Sequence, residues 1–170
     1  LRQFGSKEIG VATAYGEDIN APLREYLVHS GFKVLALEGF GGANTASSKT
    51  DDDLCGISRR VLKEAGHADG LLVSCGGLKT LTAAPKIEAE HGLPVVCSTE
   101  SSLWAAARLA GHSGRAPGHG RLLESALNGD TKTQAVDECI GNCPDRVRSE
   151  VPPISTMCPP LMPPPPQFPA

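Results

Sequence analysis

Aromatic residues are scarce in this chain. Phe, Trp and Tyr make up 4% of its 170 residues, so the core must be built mainly from aliphatic side chains. Long apolar runs are also missing, and none approaches the roughly 20 residues of a membrane span. The first ten residues, LRQFGSKEIG, are too polar for a secretory signal. The net charge of -3 mixes both signs and favours neither nucleic acid nor an anionic membrane. We therefore expect a cytoplasmic protein with no nucleic-acid or membrane partner.

Metal-binding motifs are missing as well. The chain has six cysteines, and without a secretory signal we interpret them as reduced thiols. Cys139 and Cys143 are four residues apart, but no second Cys or His pair accompanies them, so a zinc site is not indicated. The acidic run 51–53 suggests a helix N-terminus, where the dipole favours negative charge, better than it suggests a metal site. We expect no bound metal.

The first 125 residues contain apolar runs that alternate with helix-like patterns. Such runs indicate a parallel sheet that is covered on both faces. The sequence predicts a doubly wound α/β fold, with a mainly parallel Rossmann-like sheet and helices on both faces. The predicted strands are 8–15, 33–39, 70–75 and 94–99. The predicted helices are 19–30, 51–66, 79–92 and 100–111, with Gly31 as a C-cap and a kink at Pro85.

The pattern changes after residue 125. Periodicity weakens, and the last 20 residues contain nine prolines, a density that blocks helices and sheet ladders. We predict two parts, an α/β domain over 1–125 and a disordered or polyproline II tail over 126–170. The run 163–166, PPPP, could dock a proline-recognising module, but we favour a flexible end without such a partner.

Polar and small residues follow the predicted strands, and in an open parallel sheet ligands bind at those ends. Cys75, Gly76 and Gly77 follow the third strand, and the glycines would leave backbone N–H groups open to a carboxylate. A helix N-terminus directly after them would favour a thiolate. An inert buried cysteine in a tight turn is the alternative. Tyr15 follows the first strand as a candidate donor or as a packed residue.

Four segments together resemble arylmalonate decarboxylases and the related maleate cis-trans isomerases, within the aspartate/glutamate racemase superfamily. They are VATAYGEDIN (11–20), DGLLVSCGGLKTL (69–81), GLPVVCSTESSLWAAARLAG (92–111) and GRAPGHGRLLE (114–124). The Ser-Cys-Gly-Gly segment is the most specific. The resemblance implies an enzyme of two Rossmann-like halves that uses no cofactor. The chain matches only the second half, so we expect the first half of the active site to be absent.

The resemblance also implies roles by position. Cys75 matches the cysteine that moves a proton at carbon or attacks it, and Gly76 and Gly77 match backbone donors to a substrate carboxylate. Tyr15 matches a carboxylate-binding tyrosine, and Asn44 matches, in a loosely aligned loop, an asparagine of some isomerases. The expected substrate is arylmalonate-like or a small dicarboxylate.

The reaction itself stays open at this point. Decarboxylation, isomerisation, racemisation and an inactive truncated homologue all fit the matched half. A chain without its other half would also expose apolar surface, so we expect self-association. An interaction protein that uses its proline-rich tail is the weakest hypothesis.

Overall fold

A computed structural model describes residues 1–125. Four parallel strands form one sheet in the order β2-β1-β3-β4: β1 is Glu8–Thr13, β2 is Lys33–Gly39, β3 is Gly70–Ser74 and β4 is Val95–Cys97. The helices are α1 Glu17–His29, α2 Asp51–Ala65, α3 Ala83–His91, α4 Ser98–Leu109 and α5 Arg121–Glu124, with short 3-10 helices at Arg2–Phe4 and Ala43–Ser48. The predicted parallel α/β fold is confirmed. The tail predicted over 126–170 lies outside the described residues.

Side chains of the central strand β1 alternate between two separate apolar clusters, one on each face of the sheet. Ile9 and Val11 pack with Leu27 of α1 on one face. Ala12 belongs to the larger cluster on the other face, which includes residues of α2 and α3. This alternation follows from the period of two along a strand and places helices on both faces.

Helix α2 packs closely on β1 because the strand residue at the contact is a glycine. A Cβ added to Gly10 would lie 2.8 Å from Cγ1 of Val61, closer than real Cβ atoms come. Val61 is fully buried there. The glycine therefore lets an aliphatic helix face seat directly on the sheet.

The acidic run at the start of α2 has the structural role that the sequence predicts. Thr50 caps the helix by accepting the Asp53 N–H, and the Asp53 carboxylate accepts the Thr50 N–H in return, which forms a capping box. Asp51 instead pairs with Lys86 of α3 at 2.7 Å. The interpretation of these residues as helix N-terminal acids is confirmed.

Several predicted boundaries differ from the structure. Helix α3 begins at Ala83 instead of residue 79, so Pro85 lies in its first turn, where a missing N–H breaks no helical bond and no kink is needed. The fourth strand is predicted over 94–99, but β4 ends at Cys97 and α4 begins at Ser98. The C-cap of α1 is Ser30, and Gly31 follows it with a φ of 86°.

Glu88 of α3 fixes the last part of the described chain. It is 6% exposed, and its two oxygens accept different backbone N–H groups: Val95 donates to Oε1 at 2.9 Å and Arg121 donates to Oε2 at 2.8 Å. One carboxylate therefore holds the start of β4 and the start of α5 together.

We predict that Glu88→Ala lowers the free energy of unfolding by roughly 2–4 kcal/mol, since a buried donor left without a partner costs about 1–3 kcal/mol, and the part-buried Arg121 N–H costs less than the buried Val95 N–H. Urea unfolding followed by circular dichroism measures the loss. Glu64→Ala, which removes an exposed carboxylate from α2, should change stability by less than about 0.5 kcal/mol. Equal effects of the two variants would contradict the role of Glu88.

Candidate active site

The strand order creates a crevice at the carboxyl ends of β1 and β3. From β1 the chain passes to β2 on one side, whereas β3 is followed by β4 on the other side. This reversal is the point at which open α/β sheets bind ligands. Thr13 pairs with Ser74 at the end of the two strands. Tyr15 and Cys75 therefore leave the sheet side by side at the crevice.

The Tyr15 side chain lies against Cys75 and Ser74. Partial burial is the largest cause of a raised pKa of the Tyr15 phenol. The neighbouring Cys75 raises this pKa further through its charge and a hydrogen bond, and a hydrogen bond with Ser74 lowers it. An ordinary phenol is already protonated around neutral pH, and the raised pKa extends the protonated state to more alkaline solution. The Tyr15 hydroxyl can therefore act as a hydrogen-bond donor beside the thiol.

The Cys75 thiol is nearly enclosed by its own loop. Cys75 is 8% exposed, and the Gly77 N–H donates to its Sγ at 3.4 Å. A Cβ at position 77 would lie 3.7 Å from that sulfur and 3.1 Å from the Cβ of Ala46. Glycine at this position therefore leaves room between the thiol and the 3-10 helix. Gly76 and Gly77 are themselves exposed, so their backbone is open to a ligand.

The helix whose N-terminus lies beside Cys75 is not the one that the sequence predicts. Residues 79–82 form a loop instead of the start of α3, so that helix begins eight residues after Cys75. The helix N-terminus beside the Cys75 loop belongs to α4. The Ser98 hydroxyl donates to the Ser74 hydroxyl at 3.3 Å, and Oγ1 of Thr99 lies 4.0 Å from a Cβ built on Gly76.

Thr13 and Asn20 hold Tyr15 in place, a role that the sequence did not reveal. The Thr13 hydroxyl donates to Oδ1 of Asn20 at 2.7 Å and accepts the Tyr15 N–H at 3.1 Å. Nδ2 of Asn20 donates to the Tyr15 carbonyl at 3.2 Å. A Cβ at Gly39 would lie 2.1 Å from that carbonyl oxygen. A threonine that ends a strand and an asparagine seven residues later are the only local signals of this lock.

Asn44 lies in the 3-10 helix Ala43–Ser48 and is exposed. Its side-chain oxygen lies 2.8 Å from a Cβ built on Gly42 of its own loop. Ala46 of the same helix packs against Gly77. The structure thus brings Tyr15, Cys75 and the two glycines together, and it connects Asn44 to them only through the segment that carries it.

The other described cysteines belong to the core. Cys55 and Cys97 are 7% and 2% exposed. Burial raises the pKa of both thiols, and the charge of Glu100 raises that of Cys97 further. Within residues 1–125, no group of three or more His, Cys, Asp or Glu side chains could hold a metal ion. Cys139 and Cys143 lie outside the described residues.

Across the same range, none of the helices has the length and apolar character of a membrane span.

Comparison with known proteins gives consistent matches. The family model described as arylmalonate decarboxylase matches residues 1–123. The arylmalonate decarboxylase of Bordetella bronchiseptica is 39% identical over 132 residues, which cover 74% of this chain and 54% of that enzyme. A crystal structure of arylmalonate decarboxylase has 35% identity and a TM-score of 0.69, covering 73% of this chain and 56% of the other.

More distant solved structures share the fold. The maleate isomerase Iso of Pseudomonas putida S16 has a TM-score of 0.67 at 23% identity, covering 74% of this chain and 51% of that chain. In each comparison the chain spans about half the length of its relative. The match over residues 1–123 and the 39% identity to one enzyme establish that the chain belongs to the arylmalonate decarboxylase family.

Proposed function

We propose that this chain supplies the cysteine-bearing half of a cofactor-independent enzyme that acts on a carbon acid, as an arylmalonate decarboxylase does. The observation that carries the proposal is the position of the Tyr15 phenol at the Cys75 thiol, beside the exposed Gly76-Gly77 backbone. A proton donor and a set of carboxylate donors thus share one crevice. The family match supports this reading.

In the proposed reaction, the Tyr15 hydroxyl and the backbone N–H groups of Gly76 and Gly77 bind one carboxylate of a malonate. The Gly77 N–H now reaches only a sulfur at 3.4 Å, a weak acceptor that a carboxylate would outcompete. The carbon–carbon bond to the second carboxylate breaks, CO2 leaves, and the electron pair forms an enediolate. The same donors stabilise its negative charge, as in an oxyanion hole.

Cys75 completes the proposed reaction by protonating the carbanion carbon. The S–H bond breaks, the new C–H bond forms, and the resulting thiolate takes a proton from water. These steps need hydrogen-bond donors and one acid; in the proposal this chain supplies the acid and part of the donors, and the other half of the enzyme supplies the remaining donors. Isomerisation or racemisation would use the same cysteine with a second nucleophile or base from the other half. An inactive truncated homologue is the remaining alternative.

The cellular setting follows as a second part of the proposal. Cys55, Cys75 and Cys97 are free thiols in the structure. Thiols persist in the reducing cytosol. We therefore propose a cytoplasmic location and a small substrate of the arylmalonate or dicarboxylate type.

We predict negligible turnover of phenylmalonate by these 170 residues alone, because they span about half the length of the related enzyme and would not orient the substrate fully. Fusing the unmatched half of the Bordetella bronchiseptica enzyme before Leu1 should restore activity. In that fusion, Cys75→Ala should lower the decarboxylation rate by about 100-fold or more, the range of a lost general acid.

Cys55→Ala is the matched control for this experiment, because it removes a buried thiol from α2 and should leave the rate unchanged. Full activity of the fusion with Cys75→Ala would overturn the assignment of the proton donor. Carbon dioxide release and circular dichroism of each variant separate a chemical loss from a failure to fold.

We predict that the pKa of Tyr15 lies above its ordinary value of about 10. The chain has two tyrosines, so Tyr26→Phe leaves Tyr15 as the only phenol whose ultraviolet titration is observed. The protonated Tyr15 phenol contributes to stability below about pH 10, the pKa in the unfolded chain, and this contribution is lost as the pH rises through the higher pKa in the folded protein. Adding Cys75→Ala should return the pKa part of the way. A pKa at or below the ordinary value would contradict Tyr15 as a protonated donor.

Helix α4 provides the surface for the expected self-association. Glu100 is its only buried residue, whereas Leu103 and Leu109 are 65% and 63% exposed. We propose that a second copy covers the exposed leucines of this helix, because large apolar side chains are unfavourable in water.

Sedimentation velocity should therefore show a concentration-dependent dimer. Leu103→Lys should weaken it about tenfold, the effect of losing one buried leucine. Val28→Lys on α1 is the control, since Val28 is also exposed, at 54%, but lies on another helix. A monomer at every concentration measured would refute the proposed contact.

A further inference from the structure

Glu88 and Glu100 are two buried glutamates whose hydrogen bonds differ. Both are less than one-tenth exposed, at 6% and 8%. Both oxygens of Glu88 accept backbone N–H groups. At Glu100 the Thr80 hydroxyl donates to Oε1 at 2.6 Å, whereas Oε2 is buried and has no partner. Because an unpaired buried carboxylate oxygen is costly, Glu100 is not explained by structural bonding in the way that Glu88 is.

The charge on Glu100 also sets it apart from a purely structural residue. An O–H donor only 2.6 Å from an oxygen is typical of a charge-assisted bond to a carboxylate. The negative charge of Glu100 also contributes to the raised pKa of the neighbouring Cys97 thiol, after burial. No lysine or arginine within residues 1–125 forms an ion pair with Glu100. Oε2 therefore retains a strong capacity to accept a hydrogen bond.

Glu100 lines a depression of about 370 Å³ whose lining also includes Gly76, the residue after Cys75. Leu78 and Leu81 supply apolar wall, and Oγ1 of Thr99, another lining residue, lies 4.0 Å from a Cβ built on Gly76. Oε2 is buried in this structure, and because the terminal torsion of a glutamate is broad, a partial rotation of the carboxylate would present an oxygen to the depression. The carboxylate thus borders a small, largely apolar depression at the edge of the candidate active site.

We propose that Glu100 is a specificity-determining residue, which accepts a hydrogen bond from a hydroxyl group on the apolar substituent of the substrate. This inference rests on the proposed function for the identity of the reaction, and it narrows the substrate class to hydroxylated arylmalonates or their analogues. An ammonium group is the competing donor. The exposed Lys79 also lines the depression, and its like charge disfavours an ammonium there.

Phenol and anisole test the depression on the full chain without any carboxylate, because the oxygen of phenol carries a proton and the oxygen of anisole carries a methyl group in its place. Titrations followed by amide NMR signals of Gly76, Thr80 and Glu100 give both Kd values. We expect phenol to bind roughly tenfold more tightly than anisole, the ratio for one hydrogen bond to a charged acceptor. Glu100→Gln, which keeps an oxygen for Thr80, should reduce this ratio several-fold.

Glu64→Gln removes the same charge from an exposed position on α2 and should leave the phenol-to-anisole ratio unchanged. Benzylamine is the ammonium probe, and tighter binding of benzylamine than of phenol would overturn the hydroxyl assignment. Equal Kd values for phenol and anisole, no shift of the three amides, or an unchanged ratio in Glu100→Gln would overturn the proposal as a whole. Neither phenol nor anisole needs Tyr15 or Cys75, so failure here is distinguishable from failure of the Cys75→Ala experiment.

Discussion

The parallel pairing of β1 with β3 is the constraint on which the candidate site depends. The register sets Thr13 opposite Ser74, so the residues that follow leave the sheet at the same level. A shift of one residue would turn each side chain to the other face and separate the phenol from the thiol. The buried aliphatic alternation along β1 maintains this register, since Ile9 and Val11 fill one core and Ala12 the other. The strand register that packs the core therefore also sets the geometry of the site.

Small residues bring backbone segments close to this pairing. Gly10 admits α2 onto the sheet, and Gly39 leaves space for the Tyr15 carbonyl, which a Cβ would approach to 2.1 Å. Gly39 also pairs with Thr13 at the end of β2, so β1 is enclosed on both sides where it ends. The Tyr15 turn is thus fixed by backbone contact and by the Thr13–Asn20 hydrogen bond. A donor held in this way loses little further entropy when it binds a carboxylate.

Much of the fold could be predicted from the sequence because strand and helix signals are local. The four apolar runs and the alternating helices predict the observed architecture, and Tyr15 and Cys75 do lie next to each other after β1 and β3, whereas their roles stay predictions. The start of α3 was wrong because the loop before it is held by a contact between Thr80 and Glu100, 20 residues apart in sequence. Periodicity carries no information about such a partner. The Thr13–Asn20 lock was missed for the same reason, since only the folded turn aligns the two side chains.

Hydrogen bonds differ between the two ends of the sheet. At the amino ends of the strands, the Asp69 carboxylate accepts the N–H groups of Lys7 and Glu8, and Glu8 in turn pairs with Lys33. At the carboxyl ends, the Gly77 N–H reaches only sulfur, and one oxygen of Glu100 has no partner. Buried polar groups in stable proteins are usually satisfied, so the unpaired oxygen of Glu100 is a feature of this end that the fold itself does not explain. Glu100 lines the same depression as the exposed Gly76, so unused hydrogen-bonding capacity lies next to the residues that follow β3.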